Sequence, residues 1–175
     1  PNCREFLEIV SGAMRAGIIF TPISTHLKRD ETAYILDNCG AKLFIAALPL
    51  ADVATHMVEM APNVDQFYMV GGIVEGFESF EEAVDVMPTS PIDDQAMGVP
   101  MLYSSGTTGK PKGVLVPPSK QAFSDRYSLT PTIGAAFGFG PETTYLSPAP
   151  LYHAAPLHYN LVVLDTGGTS IIMEK

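Results

Sequence analysis

The residues best suited to chemistry lie in one short segment, 103–114, which reads Tyr-Ser-Ser-Gly-Thr-Thr-Gly-Lys-Pro-Lys-Gly-Val. Successive backbone N–H groups of such a turn can point at an anion. Hydroxyl groups add donors that rotate toward an oxygen, and ammonium groups add positive charge. The pattern therefore predicts a site for a polyanion such as a triphosphate, formed by Ser104, Ser105, Gly106, Thr107, Thr108, Gly109, Lys110 and Lys112.

Two other interpretations of this segment carry less weight. A plain surface turn is also rich in Gly, Ser and Thr. Here, however, an apolar strand runs directly into the segment and its lysines are tightly spaced. A Walker A loop needs glycine at position 104, where serine stands, and Ser or Thr at 111, where proline stands. A P-loop NTPase is therefore disfavoured.

A second polar segment, 148–156, places an aromatic ring beside an imidazole at Tyr152 and His153. Taken alone, it favours a capped helix start with a partly buried histidine. Its place downstream of the segment at 103–114 favours a functional role for the pair over this interpretation. His158 follows on the same predicted helix, where a packing or surface role is expected. Structural or exposed positions are expected for His26 and His56.

The composition excludes several classes of protein. The 175 residues carry 19 acidic and 10 basic side chains, a formal net charge of −9, which disfavours nucleic-acid binding through bulk positive charge. The longest apolar stretch, 43–51, has nine residues and contains Pro49, so no transmembrane segment is expected. Cys3 and Cys39 have no histidine pair nearby in sequence, and we interpret both as reduced thiols of a cytoplasmic protein.

The elements that must position these residues alternate between helix and strand. Helical spacing covers 3–15, 30–38, 51–60 and 157–164, and short apolar runs at 18–20, 43–46, 66–70, 99–103, 143–146 and 169–173 predict strands. Residues 119–137 are expected to begin as a helix that breaks at 130–131. This alternation predicts an α/β fold with parallel-rich sheets flanked by helices.

Turn-forming residues at 87–94 suggest a connection between two parts of one domain. We expect a first α/β lobe over 1–86, a linker over 87–98, and the start of a second lobe over 99–175. The acidic run within 75–85 is expected to be a solvated helix face rather than a metal site.

The segment at 103–114 resembles the phosphate-binding signature of the adenylate-forming acyl-CoA synthetase superfamily, which includes luciferases and nonribosomal peptide adenylation domains. The segment at 148–156 resembles the next motif of that superfamily, and its sequence is most similar to that of bacterial fatty-acyl-CoA synthetases. The resemblance implies that the first segment holds the β- and γ-phosphates of ATP, with Lys112 the more constant lysine. It also implies that Tyr152 and His153 border the carboxylate substrate.

The resemblance further implies a two-step reaction in the parent enzyme, in which a carboxylic acid (a fatty acid, by this similarity) and ATP form an acyl-adenylate that coenzyme A then converts to acyl-CoA. It implies Mg²⁺ with ligands mostly outside this chain, and no covalent nucleophile within it. We expect the chain to be an incomplete N-terminal domain that is inactive alone. The alternatives are amino-acid adenylation, luciferase-like chemistry, or a non-catalytic nucleotide-binding module on the same fold.

Overall fold

The computed structural model describes residues 1–104, 110–117 and 127–174. These fall into two compact units that are interleaved along the chain. Unit 1 contains Ile23–Ile92 and Tyr103–Leu115, together with Pro1. Unit 2 contains Asn2–Pro22, Asp93–Leu102 and the described part of Val116–Lys175. The sequential boundaries expected at 86 and 98 stay a prediction about the organisation of the domain.

Helices and strands alternate along the described chain, as the hydrophobic spacing predicts. The helices are α1 (Arg4–Arg15), α2 (Arg29–Asn38), α3 (Ala51–Ala54), α4 (Met57–Met60), α5 (Phe80–Asp85), α6 (Ala135–Phe137) and α7 (Ala154–Asp165). A 3₁₀ turn (Leu48–Leu50) precedes α3, and a π-helical turn (Thr130–Gly134) precedes α6.

The strands form three small sheets. They are β1 (Ile19–Phe20), β2 (Leu43–Ala47), β3 (Gln66–Val70), β4 (Glu78–Ser79), β5 (Val99–Ser104), β6 (Lys112–Leu115), β7 (Thr144–Ser147) and β8 (Thr169–Ile172). The strand orders are β1-β5-β6, β2-β3-β4 and β7-β8. The pairings of β1 with β5, β2 with β3, β3 with β4, and β7 with β8 are all parallel, which confirms the predicted α/β class with parallel-rich sheets.

In unit 1, α2 packs its apolar face against the first of two neighbouring cores. The helix begins where the Lys28 N–H donates to the Glu31 carboxylate at 2.9 Å, so an otherwise unpaired amide of the first turn is satisfied. Its buried side chains are Thr32, Ala33, Ile35 and Leu36. In the second core three phenylalanine rings meet edge to face, Phe44, Phe67 and Phe77. One face of α2 is thus buried in unit 1, whereas Asp30, Glu31, Asp37 and Asn38 are exposed.

Unit 2 has one core, in which α1 and α7 are central. Leu7, Val10 and Met14 are buried at helical spacing on α1. Leu157, Val162 and Val163 of α7 are fully buried. The helix α7 is therefore an interior element, and the segment that leads into it is anchored to the core.

Gly98 lets the start of β5 lie directly against the end of α1 in unit 2. Its N–H donates to the Met14 carbonyl at 2.8 Å. A β-carbon added here would stand 2.5 Å from the Ala13 carbonyl oxygen and 2.6 Å from that of Ile18. Both neighbours are backbone atoms, so only glycine fits without moving the chain.

Three local expectations need correction. The helix expected over 51–60 is two short helices, α3 and α4, separated by Thr55 and His56. Residues 112–115 are strand β6 rather than loop. The expected break at 130–131 is the first turn of a helical segment, where the missing N–H of Pro131 costs nothing. Residues 118–126 lie outside the described residues.

Helix α7 begins at Ala154, earlier than the expected 157, with Pro156 tolerated in its first turn. Across the described ranges, no helix combines the length and apolar character needed to cross a bilayer.

Candidate functional site

The lysine segment, residues 103–114, starts at the end of strand β5 and runs into strand β6, and its described residues belong to unit 1. Strand β5 ends at Ser104, and β6 begins at Lys112. The Ser104 hydroxyl and the Lys112 carbonyl oxygen are 3.5 Å apart, at the limit of a hydrogen bond. Ser104, Lys110 and Lys112 are exposed. The other predicted phosphate-binding residues, Ser105, Gly106, Thr107, Thr108 and Gly109, lie outside the described residues.

Helix α2 holds both ends of this segment. At its start, the Tyr103 hydroxyl donates to Asn38 Oδ1 at 2.6 Å. At its end, the Tyr34 hydroxyl donates to the Pro111 carbonyl at 3.3 Å. Tyr34 and Asn38 are four residues apart on the helix, so their side chains lie on the same face. The segment is therefore tied at two points to one helix.

The two lysines have different surroundings. Lys110 Nζ lies 4.9 Å from the centre of the Tyr34 ring, within the range of a cation–π contact. The Lys112 side chain is exposed at the first position of β6. Lys110 is thus held by an aromatic face, whereas the ammonium of Lys112 is presented from a strand end.

The Tyr103 hydroxyl keeps its proton over the physiological range. Burial raises the pKa of Tyr103 to about 12, and the nearby Cys39 and Tyr34 add to the shift. Because the neutral phenol is the donor to Asn38, the proton that this contact needs is present at neutral pH.

Tyr152 and His153 lie directly before α7 in unit 2. His153 occupies the N-cap position of α7, and its N–H donates to the Pro150 carbonyl at 3.1 Å. The rings of Tyr152 and His153 lie 4.5 Å apart between centroids; Tyr152 is half-buried and His153 is exposed. The pair belongs to a different compact unit from the lysine segment, and its proposed role at the carboxylate stays a prediction.

Asn2 fixes the approach to this pair. Its side-chain amide donates to the carbonyls of Ala149 at 3.1 Å and Met173 at 2.9 Å. Its Oδ1 accepts from the Leu151 N–H at 2.9 Å. One side chain therefore joins the beginning of α1, the end of β8 and the segment that carries Tyr152.

Two buried polar side chains stabilise the same segment from the core. Asn160 and Ser147 are both fully buried, and Asn160 Nδ2 donates to Ser147 Oγ at 2.8 Å and to the Pro156 carbonyl at 2.7 Å. Asn160 Oδ1 has no partner among the atoms that the structure describes. These contacts connect the end of β7 to the first turn of α7.

His158 packs against Tyr127 in the core of unit 2, in agreement with the packing role expected for it. The Tyr127 hydroxyl and His158 Nδ1 are 2.5 Å apart. Burial lowers the pKa of His158 and raises the pKa of Tyr127 to about 12. The neutral imidazole is therefore favoured, and its Nδ1 lies within hydrogen-bond distance of the Tyr127 hydroxyl.

The acidic run has the expected solvated character. Glu81 and Glu82 lie exposed in the first turn of α5, and the Gly71 N–H donates to Glu81 Oε1 at 2.8 Å. This hydrogen bond is the main reason that the pKa of Glu81 is lowered. Over 1–104, 110–117 and 127–174, no three His, Cys, Asp or Glu side chains are grouped as a metal site. Cys3 and Cys39 are free thiols.

Four aromatic rings form a cluster on unit 2. Phe139 packs against the core, whereas Phe137 is 58% exposed. The cluster consists of Phe137, Phe139, Tyr145 and Tyr159.

Pattern-based reasoning missed the residues that hold the segments. Asn38 and Tyr103 are 65 residues apart, Tyr34 and Pro111 are 77 apart, and Asn2 and Ala149 are 147 apart. No local spacing connects such pairs. An unexplained asparagine or tyrosine at the end of a predicted helix was the only available signal.

Comparisons with known proteins identify the family of the chain. The AMP-binding enzyme family matches residues 1–175. Over the whole chain, 28% of residues are identical to a long-chain-fatty-acid–CoA ligase, FadD13, of Mycobacterium tuberculosis, of which the chain covers 34%. A benzoate–CoA ligase of Thauera aromatica is 28% identical over 98% of the chain, which covers 32% of that enzyme.

The fold also matches solved structures. A long-chain-fatty-acid–CoA ligase from Archaeoglobus fulgidus superposes with a TM-score of 0.77 over 98% of this chain and 33% of its own, at 21% identity. The chain spans about a third of the length of the curated relatives it matches. Because the family match extends over the full sequence, the chain belongs to the AMP-binding enzyme family.

Proposed function

We propose that this chain forms the triphosphate-binding part of an ATP-dependent acid–thiol ligase. Such an enzyme converts a carboxylic acid and ATP to an acyl-adenylate and pyrophosphate, and then converts the adenylate and coenzyme A to acyl-CoA and AMP. The observation that carries the proposal is the segment with Lys110 and Lys112, tied at both ends to α2 with its lysines exposed. Family membership supports the reaction class.

In the first step a carboxylate oxygen attacks the α-phosphorus, and the bond to the pyrophosphate oxygen breaks. Negative charge therefore grows on the β- and γ-phosphates as they leave. We assign Ser104, Ser105, Gly106, Thr107, Thr108, Gly109, Lys110 and Lys112 to hold these phosphates. Donors that are already oriented toward a growing charge lower the barrier without further reorganisation.

In the second step the thiol sulfur attacks the acyl carbon, and AMP leaves with the electrons of the mixed-anhydride bond. We place Tyr152 and His153 beside the carboxylate end of the acid. No residue of this chain is assigned as a covalent nucleophile. A Mg²⁺ ion on the triphosphate would neutralise part of its charge, and the described acidic residues offer no cluster of three ligands for it.

For the acid, we propose a fatty acid. FadD13, at 28% identity, is named for long-chain fatty acids, and the similarly related Thauera enzyme is named for benzoate. The exposed Phe137 and its neighbouring rings offer an apolar surface suited to an acyl chain. A cytoplasmic location stays a prediction from the sequence.

The test is acid-dependent exchange of pyrophosphate into ATP, followed by thioester formation with coenzyme A, using the full-length ligase. We expect exchange with fatty acids and a thioester product. Exchange with amino acids alone would favour peptide-type adenylation, and light emission from an oxidised adenylate would favour luciferase chemistry. Binding of ATP without exchange by any acid would favour a non-catalytic module, and each of these outcomes would contradict the proposal.

A further inference from the structure

Two side chains of α2 have no role in the reaction as proposed above, yet both contact the ends of the lysine segment. We infer that Tyr34 and Asn38, together the α2 anchor, are positioning residues that fix the phosphate-binding segment for ATP. This inference rests on the proposed function. The α2 anchor is not a catalytic pair, because its groups contact Pro111, Tyr103 and Lys110 rather than reacting atoms.

The geometry of the helix suits this role. Tyr34 and Asn38 lie on one face because they are four residues apart, and side chains at this spacing are neighbours. The same helix buries Ile35 and Leu36, which are 2% and 3% exposed, in unit 1. The α2 anchor is therefore mounted on an element that cannot shift without disturbing the core.

The two contacts constrain the segment where it enters and where it leaves. Tyr103 is the next-to-last residue of β5, and its hydroxyl donates to Asn38. Pro111 directly precedes β6, and its carbonyl accepts from the Tyr34 hydroxyl. A segment fixed at both ends loses less conformational freedom when it takes up a ligand, so its affinity is higher than that of a loose turn.

Tyr34 also makes the two lysines unequal. Its ring face receives Lys110 Nζ at 4.9 Å, while its hydroxyl holds the following residue, Pro111. The same side chain thus restrains two successive residues of the segment. Lys110 then supports ATP binding mainly through its contact with Tyr34. Lys112 supports ATP binding through the attraction between its ammonium group and the phosphates.

The experiment compares a graded set of variants in the full-length ligase. Tyr34→Phe keeps the ring and removes the hydroxyl, Tyr34→Leu removes both, and Tyr103→Phe removes the donor to Asn38. Tyr68→Phe, on β3 of the same unit, is the matched control. Steady-state pyrophosphate exchange gives KM for ATP, KM for the acid, and kcat for each.

We expect KM for ATP to rise about threefold in Tyr34→Phe and Tyr103→Phe and about tenfold in Tyr34→Leu, as the loss of one or two modest contacts predicts. KM for the acid and kcat at saturating ATP should stay within about twofold of wild type, and so should every constant of Tyr68→Phe. The effects of Tyr34→Leu and Lys110→Met on KM for ATP should be less than additive, because both remove the contact between Lys110 and the Tyr34 ring.

Several results would overturn the inference. One is an unchanged KM for ATP in Tyr34→Leu and Tyr103→Phe. Another is an equal rise in KM for the acid, which would indicate a general loss of structure. Additive effects of Tyr34→Leu and Lys110→Met would refute the division of roles between the lysines.

Hydrogen exchange separates this inference from the proposed function, because it requires no turnover. In ATP-free protein, the amides of Lys110, Lys112 and Gly113 should exchange faster in Tyr34→Leu than in wild type or Tyr68→Phe, while the amides of α2 keep their protection. Unchanged exchange at these amides would refute the α2 anchor even if the enzyme is active. Suppose that these amides exchange faster in Tyr34→Leu but the wild-type protein shows no pyrophosphate exchange. The α2 anchor would then be retained, and only the proposed ligase activity would be rejected.

Discussion

Lys110 and Lys112 are only two residues apart in sequence, but their surroundings are different. Lys110 rests on the Tyr34 ring, whereas the side chain of Lys112 is exposed at the start of β6. Since a charge-assisted contact to phosphate is worth about 1.5–3 kcal/mol, we expect Lys112→Ala to raise KM for ATP by tenfold or more. Lys110→Ala should have a smaller effect. Pyrophosphate exchange by the two variants checks this order, and equal or reversed effects would contradict it.

His158 makes the stability of unit 2 depend on pH. Burial lowers the pKa of His158 in the folded protein, whereas in the unfolded chain it stays near its ordinary value of about 6.5. Above that pH the imidazole is neutral in both states, and no proton is linked to unfolding. Below it, the unfolded chain takes up a proton that the folded protein resists, so the free energy of unfolding falls as pH falls.

Denaturant unfolding of the full-length ligase between pH 8 and pH 5 measures this dependence. His158→Gln retains an acceptor for the Tyr127 hydroxyl and removes the titration, so we expect a shallower loss of stability below about pH 6.5. A variant with the wild-type slope would show that another group is responsible.

At the level of elements, replacing either of two glycines of unit 2 with alanine should change the stability of the protein in opposite directions. A β-carbon at Gly98 would meet the Ala13 and Ile18 carbonyls at 2.5 and 2.6 Å, so Gly98→Ala should destabilise the protein by about 3 kcal/mol. Gly12 lies within α1 with nothing within 4 Å of an added β-carbon, so Gly12→Ala should stabilise by about 0.5–1 kcal/mol. Urea unfolding of both variants tests the pair. Similar effects of the same sign would contradict the close packing of β5 against α1.

The sequence predicts most elements because their signals are local. The α1 face of Leu7, Val10 and Met14 follows helical spacing, and β2 and β3 are short apolar runs between turn residues. Hydrophobic spacing does not detect the division of 51–60 into α3 and α4, which are separated by Thr55 and His56. Strand β6 was missed because its lysine and glycine start is typical of a loop, although it pairs with the preceding strand β5.

The candidate site divides in the same way. The predicted phosphate-binding residues lie in one continuous segment, and the sequence of that segment is enough to predict phosphate binding. The side chains that position it, Tyr34 and Asn38, come from a distant helix. In unit 2, Asn2 likewise holds the segment before Tyr152 from a distant point in the chain. Such contacts become visible only once the helices and strands are packed.

At the level of the whole molecule, the chain covers 34% of the FadD13 sequence to which it aligns. We propose that the remaining part of a ligase completes the nucleotide and thiol sites. The isolated 175-residue chain should therefore form no acyl-adenylate, whereas the full-length ligase should. Trapping of the adenylate with hydroxylamine measures this, and hydroxamate formation by the isolated chain would show that the site is complete without the rest.

The central claim is that residues 104–112 bind the β- and γ-phosphates of ATP. Calorimetric titration of the full-length ligase with ATP and with AMP tests it without turnover, in wild type and in Lys112→Met. We expect wild type to bind ATP more tightly than AMP, and Lys112→Met to lose about tenfold or more in affinity for ATP with AMP binding unchanged. Equal losses for both nucleotides, or no loss for either, would contradict the assignment of this segment to the β- and γ-phosphates.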